Sequence, residues 1–317
     1  MELSYRKIKE ITVGAAVIRE EADGLHFARC VPEQIDAMRA REPWCLDNAC
    51  APTGIRFDFH TDSSRAVFSV GTNGRYEVKI DGILAKQYEL CGEDGKHAVE
   101  VALGEGKHHV VFSLPNHGAE GVVSGIALDD GASCARHVFD HKILFLGDSI
   151  TQGWNTRFDT LSYTWTISDF LNAESVIQGV GATYFVPETV VDFGYGPDIV
   201  FVAYGTNDYH VFDTLDALRE QAGLYLDKVK SLYGRARIFV ITPIWRQDID
   251  TPLRMGTLAE CRDVIREEAV RRGMYPVDGA LLVPPMRDFM DDNVHPNTLG
   301  FLTYTIGLLK QISAVLS

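Results

Sequence analysis

Lys142-Ile143-Leu144-Phe145-Leu146-Gly147-Asp148-Ser149-Ile150-Thr151-Gln152-Gly153 is the stretch on which the reading of this chain turns. Its four consecutive apolar residues are too few for a helix and lack a helical period. They predict a strand buried on both faces, the habit of parallel sheets covered by helices above and below. A polar turn follows at once, and it places the Ser149 hydroxyl at the carboxyl edge of the sheet, where open α/β folds put their reacting groups. Ser149 is therefore a candidate nucleophile.

Downstream, apolar runs alternate with helical patterns. A helix is predicted over 161–171, a second buried strand over 198–204, and a helix with an apolar stripe through Leu215, Leu218, Ala222, Leu226 and Val229. Ile238–Ile241 is a third strand, Leu258–Arg271 a helix, Tyr275–Val277 a short strand and Thr298–Leu316 a last helix. Strands alternating with helices, without hairpin signals, imply a parallel sheet wrapped on both sides.

Upstream, the period is two. Tyr76, Val78 and Ile80 point one way and the charges between them the other, and Ile55-Arg56-Phe57-Asp58-Phe59-His60 alternates likewise. The pattern recurs at Val99 and Val101 and, past the Gly104-Glu105-Gly106 turn, at Val110, Phe112 and Leu114. These are the marks of an antiparallel β-sandwich. Pro32–Arg41 interrupts it with a short surface helix, Pro standing at the helix start. The expected domains are a β-sandwich over 1–138 and an α/β domain over 139–317.

At 317 residues the chain can bury two cores, and its formal charge of -14 argues against nucleic acid as a partner, because no basic run is present to displace counterions. Met1–Glu10 is polar where a secretory signal needs an apolar core, and no uninterrupted apolar segment approaches membrane-spanning length, so a cytoplasmic protein without a membrane partner is expected. Cys30, Cys45, Cys50, Cys91, Cys134 and Cys261 are scattered and read as free buried thiols. Neither they nor the histidines, the His108-His109 pair included, are spaced as metal ligands, so no metal and no cofactor are expected.

Three motifs fall in order where an element meets a loop: Gly147-Asp148-Ser149, Gly205-Thr206-Asn207-Asp208 and Asp292-Asn293-Val294-His295-Pro296. Together they resemble the SGNH (GDSL-type) hydrolase family of esterases, thioesterases and a few acyltransferases. The resemblance covers the chain from about Lys142 to its end. It implies a flavodoxin-like three-layer parallel sheet, preceded here by a jelly-roll-like sandwich.

The chemistry suits these residue types. A serine hydroxyl needs a base, and imidazole titrates in the right range, which makes His295 the candidate base. A carboxylate must hold the other ring nitrogen, and Asp292, three residues earlier, is the candidate, with Asp291 second. Asp148 is expected to hydrogen-bond the turn. The resemblance implies oxyanion donors at the Asn207 amide and the Ser149 N–H, with a third from the loop Val176-Ile177-Gln178-Gly179-Val180-Gly181-Ala182-Thr183, at Gly181 or Ala182. That loop departs from the family's Asn-containing, double-glycine form. Other readings stand beside these: Asn207-Asp208 also suits a helix cap, and His295 a solvated loop.

Loop aromatics at the same edge, Trp154, Tyr209 and Trp245, are candidates for stacking on a sugar or walling an acyl pocket, whereas Trp165 and Phe170 read as helix-packing residues. A sandwich before an SGNH domain is similar to the arrangement in certain two-domain carbohydrate acetylesterases and related acyltransferases. The expectation is a serine esterase that removes short acyl groups, acetyl above all, from a short imported oligosaccharide or a small metabolite. An acyltransferase acting on a small alcohol and a carbohydrate-binding protein with an inactive site are the alternatives. Homo-oligomerisation is left open.

Overall fold

The computed structural model describes residues 1–41, 45–248 and 252–316, and the chain divides into two compact units. The first is Met1–Val31 with Asp47–Phe139, the second Pro32–Leu46 with Asp140–Ser317.

In the first unit two antiparallel sheets enclose one core. One runs Thr12–Val13, Arg56–Thr61, His108–Ser113, Gly74–Ile80, Ile83–Leu90, with Cys134–Arg136 also paired to Arg56–Thr61. The other runs Val17–Glu21, Gly24–Ala28, Gly121–Leu128, Arg65–Val70, His97–Ala102. The glycine turn at 104–106 thus carries the chain from one sheet to the other. Alternation turns Phe57 and Phe112 inward, where both meet Phe68 of the opposite sheet at 6.3 and 3.8 Å between ring centroids. Each buried phenyl ring stabilises the unit by roughly 1.5–3 kcal/mol. The expectation that the intervening charges face water fails at Glu77, Arg56 and Asp58, which are buried. Glu77 accepts a hydrogen bond from Gln87 at 3.0 Å, and Arg56 donates to Asp58 at 3.1 Å, so neither carboxylate is buried unpaired.

The second unit is built on five parallel strands: β1 (His141–Gly147), β2 (Ala173–Gly179), β3 (Ile199–Ala203), β4 (Arg237–Ile241) and β5 (Tyr275–Val277). Their order is β2-β1-β3-β4-β5, the flavodoxin-like arrangement of the SGNH fold. Between and after them come α1 (Ser149–Gln152), α2 (Tyr163–Phe170), α3 (Asp208–Val211), α4 (Leu215–Tyr233), α5 (Leu258–Arg271) and α6 (Thr298–Leu316). The apolar runs of β1, β3 and β4 are unbroken because helices cover both faces. Leu144, Leu146, Val200, Val202 and Val240 pack with Leu218, Leu226 and Ile265 of α4 and α5. Phe145, Phe201 and Phe239 form a stacked row on the other face, 5.1 and 5.3 Å apart, against Tyr163 of α2, which stacks in turn on Tyr304 of α6. Caps fix where helices start: Thr214 accepts the Ala217 N–H, and Thr257 with Glu260 closes a capping box on α5.

Several expectations need correction. Strand β2 spans Ala173–Gly179, whereas 176–179 is expected from the sequence to be loop. Pro32–Arg41 is helical as expected, but it groups with the second unit: Gln34 and Gln178 exchange amide hydrogen bonds at 2.9 and 3.0 Å, and Gln34 also donates to the Thr189 carbonyl. Trp165 is buried, whereas Phe170 is 70% exposed because α2 ends there with its ring outward. Of the thiols, Cys30, Cys45 and Cys261 are buried, but Cys50 and Cys91 are exposed. Finally, α6 is long and apolar enough by length and composition to cross a membrane, contrary to the sequence reading. Its Phe301, Tyr304, Leu308 and Ile312 are buried in this unit.

Candidate active site

β1, β2, β3 and β4 all end at the same edge, and the chain leaves β1 toward β2 before crossing to β3. Loops after β1 and β3 therefore diverge, which opens a crevice above the first strand. Ser149 opens α1 there. Asp148 accepts the Ile150 N–H at 2.9 Å and caps the turn, as expected of it. Gly147 is obligatory: a Cβ on it would lie 2.1 Å from Thr151 Oγ1 and 2.7 Å from the Ala203 carbonyl. The same closeness at Gly179, 2.5 Å from the backbone of Thr151 and Gln152, lets β2 lie directly against the serine turn.

The loop before α6 delivers the second group. Pro296 bridges back to Met290, and the Asp291 N–H donates to the His295 carbonyl at 2.8 Å, which folds 290–296 into a tight hook. Inside it Asp292 accepts the N–H groups of Val294 and His295, both at 2.7 Å, and its Oδ2 lies 2.8 Å from His295 Nδ1. Burial raises the Asp292 pKa, but the His295 and Val294 hydrogen bonds outweigh it and hold the carboxyl below its ordinary value. An ionised carboxylate only accepts, so Nδ1 donates to it, and in the neutral ring Nε2 is then the acceptor. Nε2 lies 2.8 Å from Ser149 Oγ, which donates to it. Ser149, His295 and Asp292, 146 residues apart at the extremes, thus form one hydrogen-bonded chain. Asp291 contributes backbone only.

The candidate oxyanion donors sort themselves by their partners. The Gly181 N–H is taken by Gln152 Oε1 at 2.8 Å, while among the described residues the Ser149 and Ala182 N–H groups have no partner. Of the two loop donors expected, Ala182 is therefore the one left available. It adopts a left-handed φ of 67°, a conformation that costs about 1–2 kcal/mol for a residue with a Cβ. Asn207 stands at the start of α3 without a capping hydrogen bond from its side chain; its amide donates one hydrogen to the Thr183 carbonyl at 2.8 Å, and among the described residues the second has no partner. Asp208 below it is fully buried, accepting the Phe185 and Gly205 N–H groups at 2.9 and 2.8 Å. Burial raises its pKa to about 6 and that of Asp148 to about 7.

The loop aromatics divide. Trp154 is partly exposed with its ring 6.3 Å from that of His295, in position to meet a substrate. Trp245 is partly exposed on a loop joined to the histidine hook, the Gln247 N–H donating to the Asn293 carbonyl at 3.0 Å. Tyr209 is not a lining residue: it is 1% exposed, its ring lies in the core, and its hydroxyl donates to the Gly256 carbonyl. An aromatic beside a motif residue on a short helix can turn inward as easily as outward.

Three residues that sequence spacing did not single out complete the site. Asn155 donates to Asp292 at 3.2 Å. Gln152 holds the Gly181 N–H. Buried Arg246 donates to the Thr206 carbonyl and to Asp248, both at 2.8 Å, and lies 2.7 Å from His210 Nε2, tying the Asn207 loop to the loop after β4.

Residues 145–301 match the GDSL-like Lipase/Acylhydrolase family. No curated protein sequence matches the chain. Among solved structures, a salicylyl-acyltransferase from a tetracycline biosynthetic pathway aligns over 96% of this chain and 94% of its own at 16% identity, with a TM-score of 0.80. A family two carbohydrate esterase from Clostridium thermocellum, solved in complex with cellohexaose, aligns over 96% and 99% at 18% identity, TM-score 0.70. One from Cellvibrio japonicus aligns over 98% and 96% at 16%, TM-score 0.71. At these identities the likeness is one of fold, and it spans both units.

Proposed function

Because residues 145–301 form a GDSL-like lipase/acylhydrolase domain, we propose that this protein is a serine esterase that cleaves short acyl esters, acetyl above all, of an oligosaccharide or small metabolite. The observation that carries the reading is the unbroken hydrogen-bonded series from Ser149 Oγ through His295 to Asp292, each link 2.8 Å.

The chemistry follows from those links. Ser149 Oγ attacks the ester carbonyl as its proton passes to His295 Nε2, and Asp292 stabilises the imidazolium that results. The carbonyl oxygen becomes an oxyanion, met by the Ser149 and Ala182 N–H groups and the free amide hydrogen of Asn207. Collapse expels the alcohol, which takes the proton from His295, and leaves Ser149 acylated. Water then attacks, gives a proton to His295, and the acid departs with Ser149 restored. Trp154 and Trp245 offer faces for a sugar or a wall for the acyl group.

In the test, purified protein releases nitrophenol from p-nitrophenyl acetate and acid from acetylated oligosaccharides. Ser149→Ala lowers the rate by about 10⁴-fold or more with an unchanged circular dichroism spectrum. Equal turnover by that variant would end the serine mechanism, and sugar binding without any cleavage would favour a binding protein. Transfer to another alcohol uses the same acyl-enzyme. Partition of product to an added acceptor far beyond its share against water would assign the protein as a transferase.

A further inference from the structure

The first unit carries a cluster that the esterase chemistry does not use. His60, His109 and His137 come from three neighbouring stretches of one sheet: His60 pairs directly with His109 across two strands, and His137 follows the strand Cys134–Arg136 on the other side, its N–H donating to the Asp58 carbonyl. The His109 ring stacks on those of His137 and His60 at 4.3 and 4.6 Å between centroids, and the His60 and His137 rings are tilted at 5.1 Å. One ring nitrogen from each lies within 4.8 Å of the other two. We propose that His60, His109 and His137 form a binding site for one borderline divalent transition-metal ion, Zn2+ foremost.

Three features favour an ion over a chance cluster. His60 Nε2 and His137 Nδ1 face each other at 2.9 Å, so a single proton now lies between two imidazole lone pairs. A metal ion in that place satisfies both. Second, His109 Nε2 lies 2.7 Å from Asp58, whose other oxygen accepts from Arg56. A carboxylate that holds one ring N–H fixes the tautomer and presents the other nitrogen with its lone pair, the arrangement found behind metal-bound histidines. Third, the donor set is chemically uniform. Three neutral imidazoles with water completing a tetrahedron suit Zn2+, whereas Mg2+ and Ca2+ require oxygen donors.

In a tetrahedral zinc site the nitrogens lie about 3.4 Å apart, farther than the 2.9 Å between His60 Nε2 and His137 Nδ1, so one ring must turn as the ion enters. His60 is the exposed member of the set, and His109 is held by Asp58. His60 is thus the ring that moves. The ion would add a cross-link between neighbouring stretches of the sheet and would stabilise the folded unit by mass action. Sequence spacing concealed the set because its members are 49 and 28 residues apart and converge only when the sheet forms.

The test uses full-length protein without a histidine tag, stripped with a chelator and dialysed. Competition against a chromophoric chelator should give one equivalent of Zn2+ bound at micromolar Kd or tighter, and Co2+ should give the visible absorption of a tetrahedral nitrogen site. His60→Gln and His137→Gln should each weaken binding by about 10-fold or more, and Asp58→Asn by about 10-fold. Zn2+ should raise the Tm of the parent protein and leave that of His60→Gln/His137→Gln unchanged. Because His60 is exposed, His60→Gln alone keeps the test open if the double variant folds poorly. Absence of binding overturns the proposal, as does binding unchanged in His60→Gln. Binding abolished by His26→Gln assigns the ion to Glu21, Asp23 and His26, the other group among the described residues close enough to hold one, and overturns it equally.

Discussion

Asn155 donates its side-chain amide to Asp292 at 3.2 Å, onto the same Oδ2 that faces the His295 ring. The turn that follows Ser149 therefore braces the carboxylate at the far end of the hydrogen-bonded series. Asn155 has φ 67°, a conformation that Asn tolerates and Gly adopts freely. Asn155→Gly should keep the turn and lose the brace, lowering kcat about 5- to 10-fold, the worth of one hydrogen bond, with KM little changed. Steady-state kinetics on p-nitrophenyl acetate check this, and an unaltered kcat would show the contact to be idle.

In the proposed mechanism Asn207 supplies a side-chain donor to the oxyanion. Asn207→Ala should reduce kcat by about 10²–10³-fold while leaving KM within a few-fold, because the contact strengthens only as charge develops on oxygen. A change confined to KM would place the residue in ground-state binding instead.

Ala182 is held at φ 67°, a glycine conformation. Ala182→Gly keeps its N–H and removes the Cβ strain, so the variant should be more stable by about 0.5–1 kcal/mol and stay active. Ala182→Val should be less stable and less active. Thermal unfolding with parallel kinetics reads both.

Burial raises Asp148 to about 7 and Asp208 to about 6. Each folded pKa lies above the unfolded value of about 4, so the folded state retains protons that the unfolded state has lost. The contribution of these two groups to stability should accordingly fall as pH rises from about 4 through 7 and level off above. Asp148→Asn can still accept the Ile150 N–H and has no proton to lose. Its Tm should exceed that of the parent at pH 8, with the gap closing toward pH 5. Tm curves that run parallel across this range would refute the account.

Gln34 and Gln178 satisfy each other in the interior of the second unit. Gln34→Leu should cost about 1–3 kcal/mol by removing the two amide hydrogen bonds the pair exchanges, and Gln34→Leu/Gln178→Leu should recover part of it. A double-mutant cycle by denaturant unfolding measures the coupling, and strict additivity would deny it.

Most of the second unit was legible because its signals are local. The runs 143–146 and 238–241 are apolar throughout, and α4 and α5 carry a stripe, a cap or both. β2 was not, since buried Ser175 and Gln178 break its apolar run, and the partner that makes Gln178 tolerable lies 144 residues away. At the site, Ser149, His295, Asp292 and Asn207 stand in motifs whose spacing survives in one dimension. Asn155 and Gln152 act through contacts that form only when loops converge. Tyr209 shows the converse failure: its position along the chain was right for a lining residue, and its side-chain direction was not.

Pro32–Leu46 belongs to the second unit although it lies inside the first along the chain. The two units are thus interleaved, and no single cut separates them. A protease nick near Phe139 would divide the polypeptide without liberating an intact half, since one fragment would lack Gln34 and the other would carry it away. Inheritance faces the same constraint. A recombination that exchanged the sandwich for another module would need three joints in register, so the pair is expected to have travelled through descent as one gene segment, not as a catalytic domain with an interchangeable attachment.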